Sequence, residues 1–401
     1  MSFDRIRGVA LAALASLLLA VPAAASAAQG PAAWVAGFWP TAKAAGISRA
    51  TYDRALNGFA PDAEVIASAN AQPEFTWKVW DYVDQLVNDD RIAKGTAILE
   101  KYADVLGKIE ARYKVDRRVI VAIWGIESDF GSMLDNPGAK NAIRSLATLA
   151  YDGGRFASYG REQLVAALGI LDRGDVTLEG MTGSWAGAMG ETQFIPTSYE
   201  LYAVDFDGDG RRNIWTSVPD ALASTANLLS RAGWRLGEAW GYEVTVPGGI
   251  GNAGERPLTA WQSLGVTRVK AQAFPRTTDT ASLYRPNDSN GPSFLLTRNF
   301  TVIKRYNNSN YYALAVAHLA DRLGGGGPFA TPWPAHEKPL SEAERQKLQL
   351  LLTMQGIYDG GIDGVLGSGS REAIRTYQRS NGLTADGVGT RALLDHLETG
   401  T

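Results

Sequence analysis

The sequence predicts a mainly α-helical protein that carries a small irregular or β-containing insertion and ends in a small helical domain. Apolar residues recur at helical spacing along most of residues 28–323. Between residues 240 and 300 the pattern changes to short runs such as YEVTV and SFLLT, which are broken by Gly, Pro and Asn. A segment rich in Gly and Pro then separates this large region from a short block with its own helices.

The large region, residues 28–323, contains several stretches in which apolar side chains lie three and four positions apart, as they do along one face of a helix. These stretches are residues 97–111, 119–128, 161–171, 219–232 and 311–323.

The segment GGGGPFATPWPAHEKP, residues 324–339, has no periodicity and is interpreted as a linker. The last block, residues 340–401, begins with SEAER, in which Ser341 and Glu344 fit a capping box at a helix start. A second amphipathic helix is predicted over residues 371–383, where Asn-Gly ends it.

The N-terminus has the pattern of a secretory signal peptide over residues 1–27. Arg5 and Arg7 precede an apolar run, residues 9–21, that is too short to cross a bilayer comfortably. The sequence ASA at 25–27 then offers a cleavage site. The alternative is an uncleaved membrane anchor. Because no cysteine follows, a lipoprotein is excluded, and we expect a soluble periplasmic protein.

The composition excludes several kinds of chemistry. The formal net charge of −3 offers no basic field for nucleic acid. The chain has no cysteine, so it has no disulfides, thiol nucleophiles or thiolate metal ligands. Its three histidines are His318, His336 and His396, too few and too scattered to favour a zinc site or a Ser-His-Asp triad. His318 is interpreted as a packing residue. Acid–base chemistry therefore falls mainly to carboxylates.

Glu127 lies at the end of the almost wholly apolar stretch in VIVAIWGIESDFG, residues 119–131. Such a helix should be buried on nearly all sides. A carboxyl group at its end is poorly solvated, which should raise its pKa toward the value that a general acid needs near neutral pH. The alternative is that Glu127 leaves the helix into solvent. Asp129, two positions further on, should point away from it.

The segment GSWAGAMGETQFIPTSY, residues 183–199, combines small residues with aromatic ones. Small residues allow backbone to approach a ligand closely. Trp185, Phe194 and Tyr199 could offer flat surfaces to sugar rings, and Gln193 could hydrogen-bond a sugar or the catalytic carboxylate. A tightly packed turn before a helix is the alternative interpretation.

These segments resemble the membrane-bound lytic transglycosylase B family, whose catalytic core is lysozyme-like. The resemblance spans nearly all of residues 30–323. It rests on four segments that occur in the family's order, namely GIESDFG, GSWAGAMGETQFIPTSY, DFDGDGRRNIW and RYNNSNYYALAV. One departure is the lack of a lipid-attachment cysteine, which implies a soluble periplasmic form.

The resemblance also implies which residues form the site. Glu127 would be the catalytic acid/base. The glycan cleft would be lined by Gln193, Tyr306 and Tyr312, with Ser184 and Arg155 as weaker candidates. Ordinary packing is the alternative for Tyr312 and its neighbour Tyr311.

The C-terminal block resembles the three-helix peptidoglycan-binding domain found at the ends of many cell-wall hydrolases. The matching residues are GIYDGGIDGVLGSGSREAIRTYQRSNGLTADGVGT. The resemblance covers the whole block and implies that the partner is the glycan strands of peptidoglycan. We expect a monomer, and the sequence leaves open whether other cell-wall enzymes bind.

The segment DFDGDGRRNIW predicts a calcium site with a structural role. We expect the reaction itself to need no cofactor. Asp205, Asp207 and Asp209 stand at positions 1, 3 and 5 of an EF-hand loop, and Arg211 would supply the position-7 carbonyl. Position 12 is Thr216 rather than Glu. Asp220 could close the shell, as an acidic residue does in the resembled family, or it could cap the next helix.

Glycosidases usually use two carboxylates, and here only Glu127 is a strong candidate. One acid suits a lytic transglycosylase, which cleaves the MurNAc–GlcNAc β-1,4 bond and leaves 1,6-anhydroMurNAc without consuming water. A hydrolytic muramidase and a non-catalytic wall-binding scaffold are the alternatives.

Overall fold

The computed structural model describes residues 30–70, 78–134, 139–248, 250–251, 254–286, 291–333, 340–383, 385 and 387–399. The predicted signal peptide therefore lies outside the described residues, and so does the end of the predicted linker, residues 334–339.

The described residues are mainly helical, as the sequence predicts. The large region holds the helices α1 (Pro31–Ala44), α2 (Arg49–Leu56), α3 (Ala63–Asn70), α4 (Val79–Leu86), α5 (Asp89–Lys101), α6 (Ala103–Tyr113), α7 (Arg117–Ser128), α8 (Ala142–Asp152), α9 (Ala157–Asp172), α10 (Pro196–Tyr202), α11 (Val218–Arg231), α12 (Leu258–Ser263), α13 (Arg298–Ile303) and α14 (Asn310–Leu323). Within the described ranges, no helix is both long enough and apolar enough to cross a bilayer.

Helix α7 is the centre of the largest hydrophobic core. Asp116 caps its first turn by accepting a hydrogen bond from the Arg118 amide at 2.9 Å. Every residue from Val119 to Gly125 is buried. Helices α5, α6, α11 and α14 pack around it. This burial explains why its sequence is apolar on all faces rather than along one stripe.

The sequence predicts one helix over residues 97–111, and this prediction is wrong. The chain forms two helices there, α5 and α6, with Tyr102 between them at φ −106° and ψ 22°. The Tyr102 ring packs edge-on against Trp124 of α7, with the ring centroids 5.8 Å apart. The break lets the chain turn around α7, which a straight helix could not do.

The insertion between residues 240 and 300 is a small antiparallel sheet with its own core, which confirms the predicted change of pattern. The strands of the described residues are β1 (Lys140–Asn141), β2 (Thr182–Gly183), β3 (Gly241–Thr245), β4 (Arg256–Pro257), β5 (Thr267–Arg268), β6 (Thr280–Tyr284) and β7 (Ser293–Leu296). The five strands of the insertion lie in the order β4-β6-β7-β3-β5. A separate two-stranded ribbon pairs β1 with β2.

The described part of the predicted linker lies against the large region. The Phe329 ring stacks on His318 at 3.9 Å, and Trp333 is buried beside Trp80. Burial lowers the pKa of His318 to about 3, so this imidazole is neutral. The prediction that His318 is a packing residue is confirmed.

The C-terminal block consists of three helices, α15 (Glu342–Met354), α16 (Ser368–Ser380) and α17 (Arg391–Thr399), around a hydrophobic core separate from that of α7. The capping box predicted for Ser341 and Glu344 is present at the start of α15. The backbone amide of Glu342 also donates to Asp90 of α5 at 3.0 Å, which joins the block to the large region.

We predict that Leu348→Ala destabilises the C-terminal block by about 2–5 kcal/mol, because it opens a cavity in that core. The matched control is Leu350→Ala on the same helix, since Leu350 is 43% exposed and Leu348 is 0% exposed. Hydrogen exchange of the α15–α17 amides measures both effects. Equal losses of protection in the two variants would contradict this account of the core.

Candidate active site

Glu127 occupies the last turn of α7, and its side chain is partly buried. The Tyr312 hydroxyl donates a hydrogen bond to Glu127 Oε1 at 2.6 Å. Burial raises the pKa of Glu127 to about 7, although the bond from Tyr312 acts in the opposite direction. The carboxyl group is therefore close to half-protonated at neutral pH, so it can both donate and accept a proton.

Tyr306 and Tyr312 form a parallel pair beside this carboxyl group. Their ring planes lie 7° apart and their centroids 6.4 Å apart. The Tyr306 hydroxyl donates to the Thr192 carbonyl at 2.5 Å. Burial and the nearby charge of Glu127 raise the pKa of both tyrosines well above the ordinary value. Both hydroxyls therefore remain protonated donors at any pH near neutrality.

The start of α14 brings Tyr312 to the site. Ser309 is the N-cap residue, and its hydroxyl accepts a hydrogen bond from the Tyr312 amide. Tyr312 thus stands in the first turn of a helix that packs along α7. The structure brings together Glu127, Tyr306 and Tyr312, three of the residues that the resemblance implies.

Gln193 lies in a tight turn that contacts the tyrosine pair through its neighbour Thr192. Gly190 opens the turn at φ +68°, and a Cβ there would collide with the Ile214 carbonyl. Gln193 itself has φ +53°, and its side-chain amide donates to the Gly190 carbonyl at 3.0 Å. This side-chain hydrogen bond of Gln193 therefore stabilises the turn.

The hydrogen bonds of Ser184 and Arg155 are made to backbone groups and not to Glu127. The Ser184 hydroxyl accepts from the amides of Ala186 and Ala188 and so shapes its own loop. The Arg155 guanidinium donates to the Ala69 carbonyl and lies over the Phe156 ring at 4.7 Å. Ser184 and Arg155 lie close to each other, because the rings of their chain neighbours Trp185 and Phe156 are in contact.

Two of the aromatic surfaces expected from the sequence are core residues instead. Phe194 is 2% exposed and Tyr199 is 0% exposed, so neither can meet a sugar ring. Tyr199 donates its hydroxyl to the Arg212 carbonyl at 2.5 Å. Trp185 is only partly buried. The expectation is wrong for these two residues because their exposure depends on tertiary packing, which residue type does not reveal. Phe194 packs against the Tyr306 ring, and Tyr199 lies in α10 against Trp215.

Asp129 lies just past the end of α7, where its left-handed backbone conformation ends the helix, so helical spacing from Glu127 does not apply to it. It pairs with Lys94 at 2.7 Å and with Arg91 at 3.4 Å. Burial alone would raise the pKa of Asp129, but the Lys94 hydrogen bond and the Arg91 charge outweigh it and leave the pKa below the ordinary value. Asp129 is therefore an anion engaged by two cations, which does not suit a second proton donor.

The acidic loop gathers Asp205, Asp207 and Asp209, whose carboxylate oxygens all lie within 4.8 Å of one another. Asp220 has a different set of contacts. It is 0% exposed, and its carboxylate accepts backbone amides from Phe206 at 2.7 Å, Asp207 at 3.2 Å and Asn213 at 2.8 Å. These bonds fold the loop around Asp220, which is the third residue of α11. The helix is capped by Ser217, whose hydroxyl accepts the Asp220 amide, so the alternative that Asp220 caps the helix is wrong.

The sequence interpretation missed Glu191. Its carboxylate accepts a hydrogen bond from the Trp124 indole at 2.8 Å, and its carbonyl accepts one from the Ser128 hydroxyl at 2.5 Å. Both partners belong to α7, on either side of Glu127. A lone acidic residue among the small residues of GAMGETQ was a usable signal. Thr192 acts through its backbone carbonyl, and no side-chain pattern could have identified it.

Residues 30–321 match the family model described as Transglycosylase SLT domain. The chain belongs to this family. Residues 341–397, after the transglycosylase domain, match the model described as Putative peptidoglycan binding domain. Both matches agree with the resemblances that the motifs predict, and the mainly helical, lysozyme-like fold class is confirmed.

Named relatives of this transglycosylase domain support the same conclusion. Membrane-bound lytic murein transglycosylase B of Escherichia coli is 34% identical over 255 residues, or 60% of this chain. The match spans 66% of that relative, just under two thirds of its length. SltB3 of Pseudomonas aeruginosa, in complex with NAG-anhNAM-pentapeptide, has a TM-score of 0.73 at 47% identity, covering 92% of this chain and 100% of SltB3.

The Escherichia coli lytic transglycosylase Slt35 in complex with calcium is a further structural relative. It is 27% identical, with a TM-score of 0.62, and the match covers 73% of this chain and 92% of Slt35. One of these relatives is named as a lytic murein transglycosylase and another as a lytic transglycosylase, so the chain is related to enzymes that act on peptidoglycan.

Replacing Tyr312 with Phe should raise the pKa of Glu127 above about 7, because the lost hydrogen bond stabilises the carboxylate anion. The pKa can be followed by NMR of ¹³C-labelled glutamate carboxyl groups, with the Glu127 signal assigned from Glu127→Gln. Tyr311→Phe is the matched control, at the adjacent position. A Tyr312→Phe protein in which Glu127 titrates at or below the wild-type pKa would refute the assignment.

Proposed function

We propose that the protein is a lytic transglycosylase that cleaves the MurNAc–GlcNAc β-1,4 bond of peptidoglycan, with Glu127 as its single general acid/base. The observation that carries the proposal is the partly buried Glu127 carboxyl group, with a pKa of about 7 and the Tyr312 hydroxyl on Oε1. A group with this pKa can serve as acid in one step and base in the next.

In the first step, protonated Glu127 donates its proton to the oxygen that links the two sugars. The C1–O bond breaks, and the positive charge that develops at C1 is stabilised by the 2-acetamido group of the muramic ring. Glu127 becomes an anion at this point. The Tyr312 hydroxyl, which remains protonated, stabilises that anion through its hydrogen bond.

In the second step, the Glu127 carboxylate removes the proton from the C6 hydroxyl of the same muramic ring. The hydroxyl oxygen then bonds to C1 and forms the 1,6-anhydro ring. The donated proton stays on the leaving sugar, Glu127 is protonated again by the proton from the C6 hydroxyl, and no water is consumed. The nucleophile is tethered to its target, which is a large proximity advantage. The anhydro sugar in the SltB3 complex supports this course by relationship.

The environment of Glu127 supports a single-acid route. Among the described residues, the groups that shift its pKa include Tyr312 but no second carboxylate. Asp129 is engaged by Lys94 and Arg91. A hydrolytic muramidase remains the enzymatic alternative and a wall-binding scaffold the non-catalytic one, and product analysis separates all three.

We further propose that Tyr306, Tyr312, Gln193, Ser184 and Arg155 line the glycan cleft. Tyr312 donates to the Glu127 carboxyl group, and the Tyr306 ring lies parallel to Tyr312. Gln193 lies in the turn whose Thr192 carbonyl binds Tyr306. Ser184 and Arg155 lie next to Trp185 and Phe156, whose rings are in contact. The glycan strands of peptidoglycan are the proposed partner, and the protein is proposed to act as a monomer.

The proposed domain organisation follows from the sequence. Residues 1–27 form the signal peptide, 28–323 the catalytic domain, 324–339 the linker and 340–401 the peptidoglycan-binding domain. The separate hydrophobic core of α15–α17 supports the last division. A signal peptide without a lipid-attachment cysteine supports a soluble periplasmic protein.

The acidic loop is proposed to bind a structural calcium ion and to take no part in the reaction. The loop fits the ion in that three carboxylates converge. The residues that would hold it are Asp205, Asp207, Asp209 and the Arg211 carbonyl. Asp220, with three backbone amides on its carboxylate, shapes the loop. The calcium complex of Slt35 supports the proposal by relationship.

We expect Glu127→Gln to reduce the rate of sacculus digestion by about 10²–10⁴-fold, because the amide cannot transfer the proton. Mass spectrometry of the wild-type digest should show anhydro products, which are one water lighter than hydrolysed ones. The matched control is Glu179→Gln, at an exposed position. Products with an added water would establish the muramidase instead, and absence of digestion by the wild type would leave only the scaffold. Full activity of Glu127→Gln would refute the role of Glu127.

Calcium should raise the melting temperature of the wild-type protein, and a chelator should lower it again, because the ion binds only the folded loop. The double variant Asp205→Asn, Asp209→Asn should lose this response. Asp53→Asn, a surface change away from the loop, should keep it. A wild-type melting temperature that is the same with calcium and with chelator would rule out the site.

A further inference from the structure

The turn Gly190–Gln193 is hydrogen-bonded to α7 at residues before and after Glu127, and Glu191 is the only acidic residue of the turn. We infer that Glu191 is a positioning residue, which sets the orientation of Glu127 by holding the last turn of α7. The inference rests on the proposed function, because it concerns the alignment of the same acid. It is carried by the hydrogen bonds that join this turn to α7 and to Tyr306, and by one close backbone contact.

The first contact joins the Glu191 side chain to α7. Glu191 Oε2 accepts the Trp124 indole N–H at 2.8 Å. Trp124 is only 2% exposed and lies three residues before Glu127, so its ring is on the neighbouring helical turn. Rings of Tyr102 and Phe130 meet it edge-on at 5.8 Å each. The indole therefore has one described acceptor and little room to move.

The second contact joins the Glu191 backbone to the end of the same helix. The Ser128 hydroxyl donates to the Glu191 carbonyl at 2.5 Å and accepts the Gly131 amide at 2.9 Å. Ser128 is 1% exposed and adjacent to Glu127. Glu191 thus holds α7 on both sides of the catalytic residue, by its side chain at Trp124 and by its carbonyl at Ser128.

The chain after the helix is shaped to receive the Glu191 carboxylate. Asp129, Phe130 and Gly131 all have left-handed backbone conformations, with φ +48°, +59° and +87°. Left-handed conformations are unfavourable for residues other than glycine. A Cβ on Gly131 would collide with the Glu191 carboxylate, so the carboxylate lies directly against this backbone. The contact helps to hold an otherwise unfavourable turn immediately after the acid.

The same turn also holds the tyrosines. The Thr192 carbonyl accepts the Tyr306 hydroxyl, the Tyr306 ring lies parallel to Tyr312, and Tyr312 donates to Glu127. The turn is fixed in its own right, because the Glu191 amide donates to the Ile214 carbonyl at 2.9 Å. One rigid turn therefore determines where α7 and the tyrosine pair stand relative to each other.

Removing the Glu191 carboxylate should misalign Glu127 and leave the contacts to the bound sugar unchanged. In Glu191→Leu, the Trp124 N–H loses its described acceptor in a buried position, which is unfavourable unless the indole moves. Movement of α7 would weaken the Tyr312 bond to Glu127. Because that bond lowers the pKa of Glu127, its weakening raises the pKa, and activity persists to higher pH.

The test compares Glu191→Leu and Glu191→Gln with the wild type, by the initial rate of sacculus clearing over a range of concentrations and pH values. We expect Glu191→Leu to lower kcat about tenfold or more and to leave KM within about threefold, as misplacement of a catalytic group does. Its alkaline limb should move up by about 0.5 pH unit or more. Glu191→Gln retains an acceptor oxygen and should recover most of the activity.

Glu179→Leu is the control for the loss of a carboxylate, and melting temperatures identify variants that fail to fold. A folded Glu191→Leu enzyme with wild-type kcat and pH profile would overturn the inference, as would a Glu191→Gln enzyme no more active than Glu191→Leu. If Glu127→Gln is inactive in the same assay, such a result concerns Glu191 alone. If Glu127→Gln is active, the proposed function fails first.

Discussion

The structure depends on one constraint, which is that the Glu127 carboxyl group must stay poorly solvated and yet meet the Tyr312 hydroxyl. Poor solvation raises its pKa to about 7, and the tyrosine keeps the pKa from rising further. The first effect requires α7 to be buried on every side. The hydrogen bond from Tyr312 requires α14 to begin beside the end of α7, where Ser309 caps the first turn of α14.

This constraint opposes stability. The ordinary pKa of a glutamate is 4.5, whereas that of folded Glu127 is about 7. Between these pH values the folded state keeps a proton that the unfolded chain releases, so the contribution of this group to stability falls as the pH rises through that window. The left-handed residues Asp129 and Phe130 add a further local cost next to the same group. The buried core around α7 offsets both.

Hydrogen bonds to backbone carbonyls make the site rigid. Tyr306 and the end of α7 are both bonded to carbonyls of the turn that contains Glu191 and Thr192. A backbone carbonyl in a tight turn cannot rotate away as a side chain can. Gly190 allows that turn because only glycine fits against the Ile214 carbonyl. The small residues of the signature segment thus serve packing and positioning, whereas the sequence suggested a ligand-facing role.

The amino-acid sequence was enough to predict the helical class, the inserted sheet and the C-terminal helices, and to select Glu127 as the candidate acid. Each of these follows from apolar periodicity or from a local run of residues, such as the uninterrupted apolar stretch before Glu127. Three features became visible only in the folded chain: the burial of Phe194 and Tyr199, the loop that folds around Asp220, and the bonds from Glu191 to α7. The reason is that burial and hydrogen-bond partners are set by segments far apart in the chain: Trp124 meets Glu191 and Glu127 meets Tyr312 only after the helices have packed.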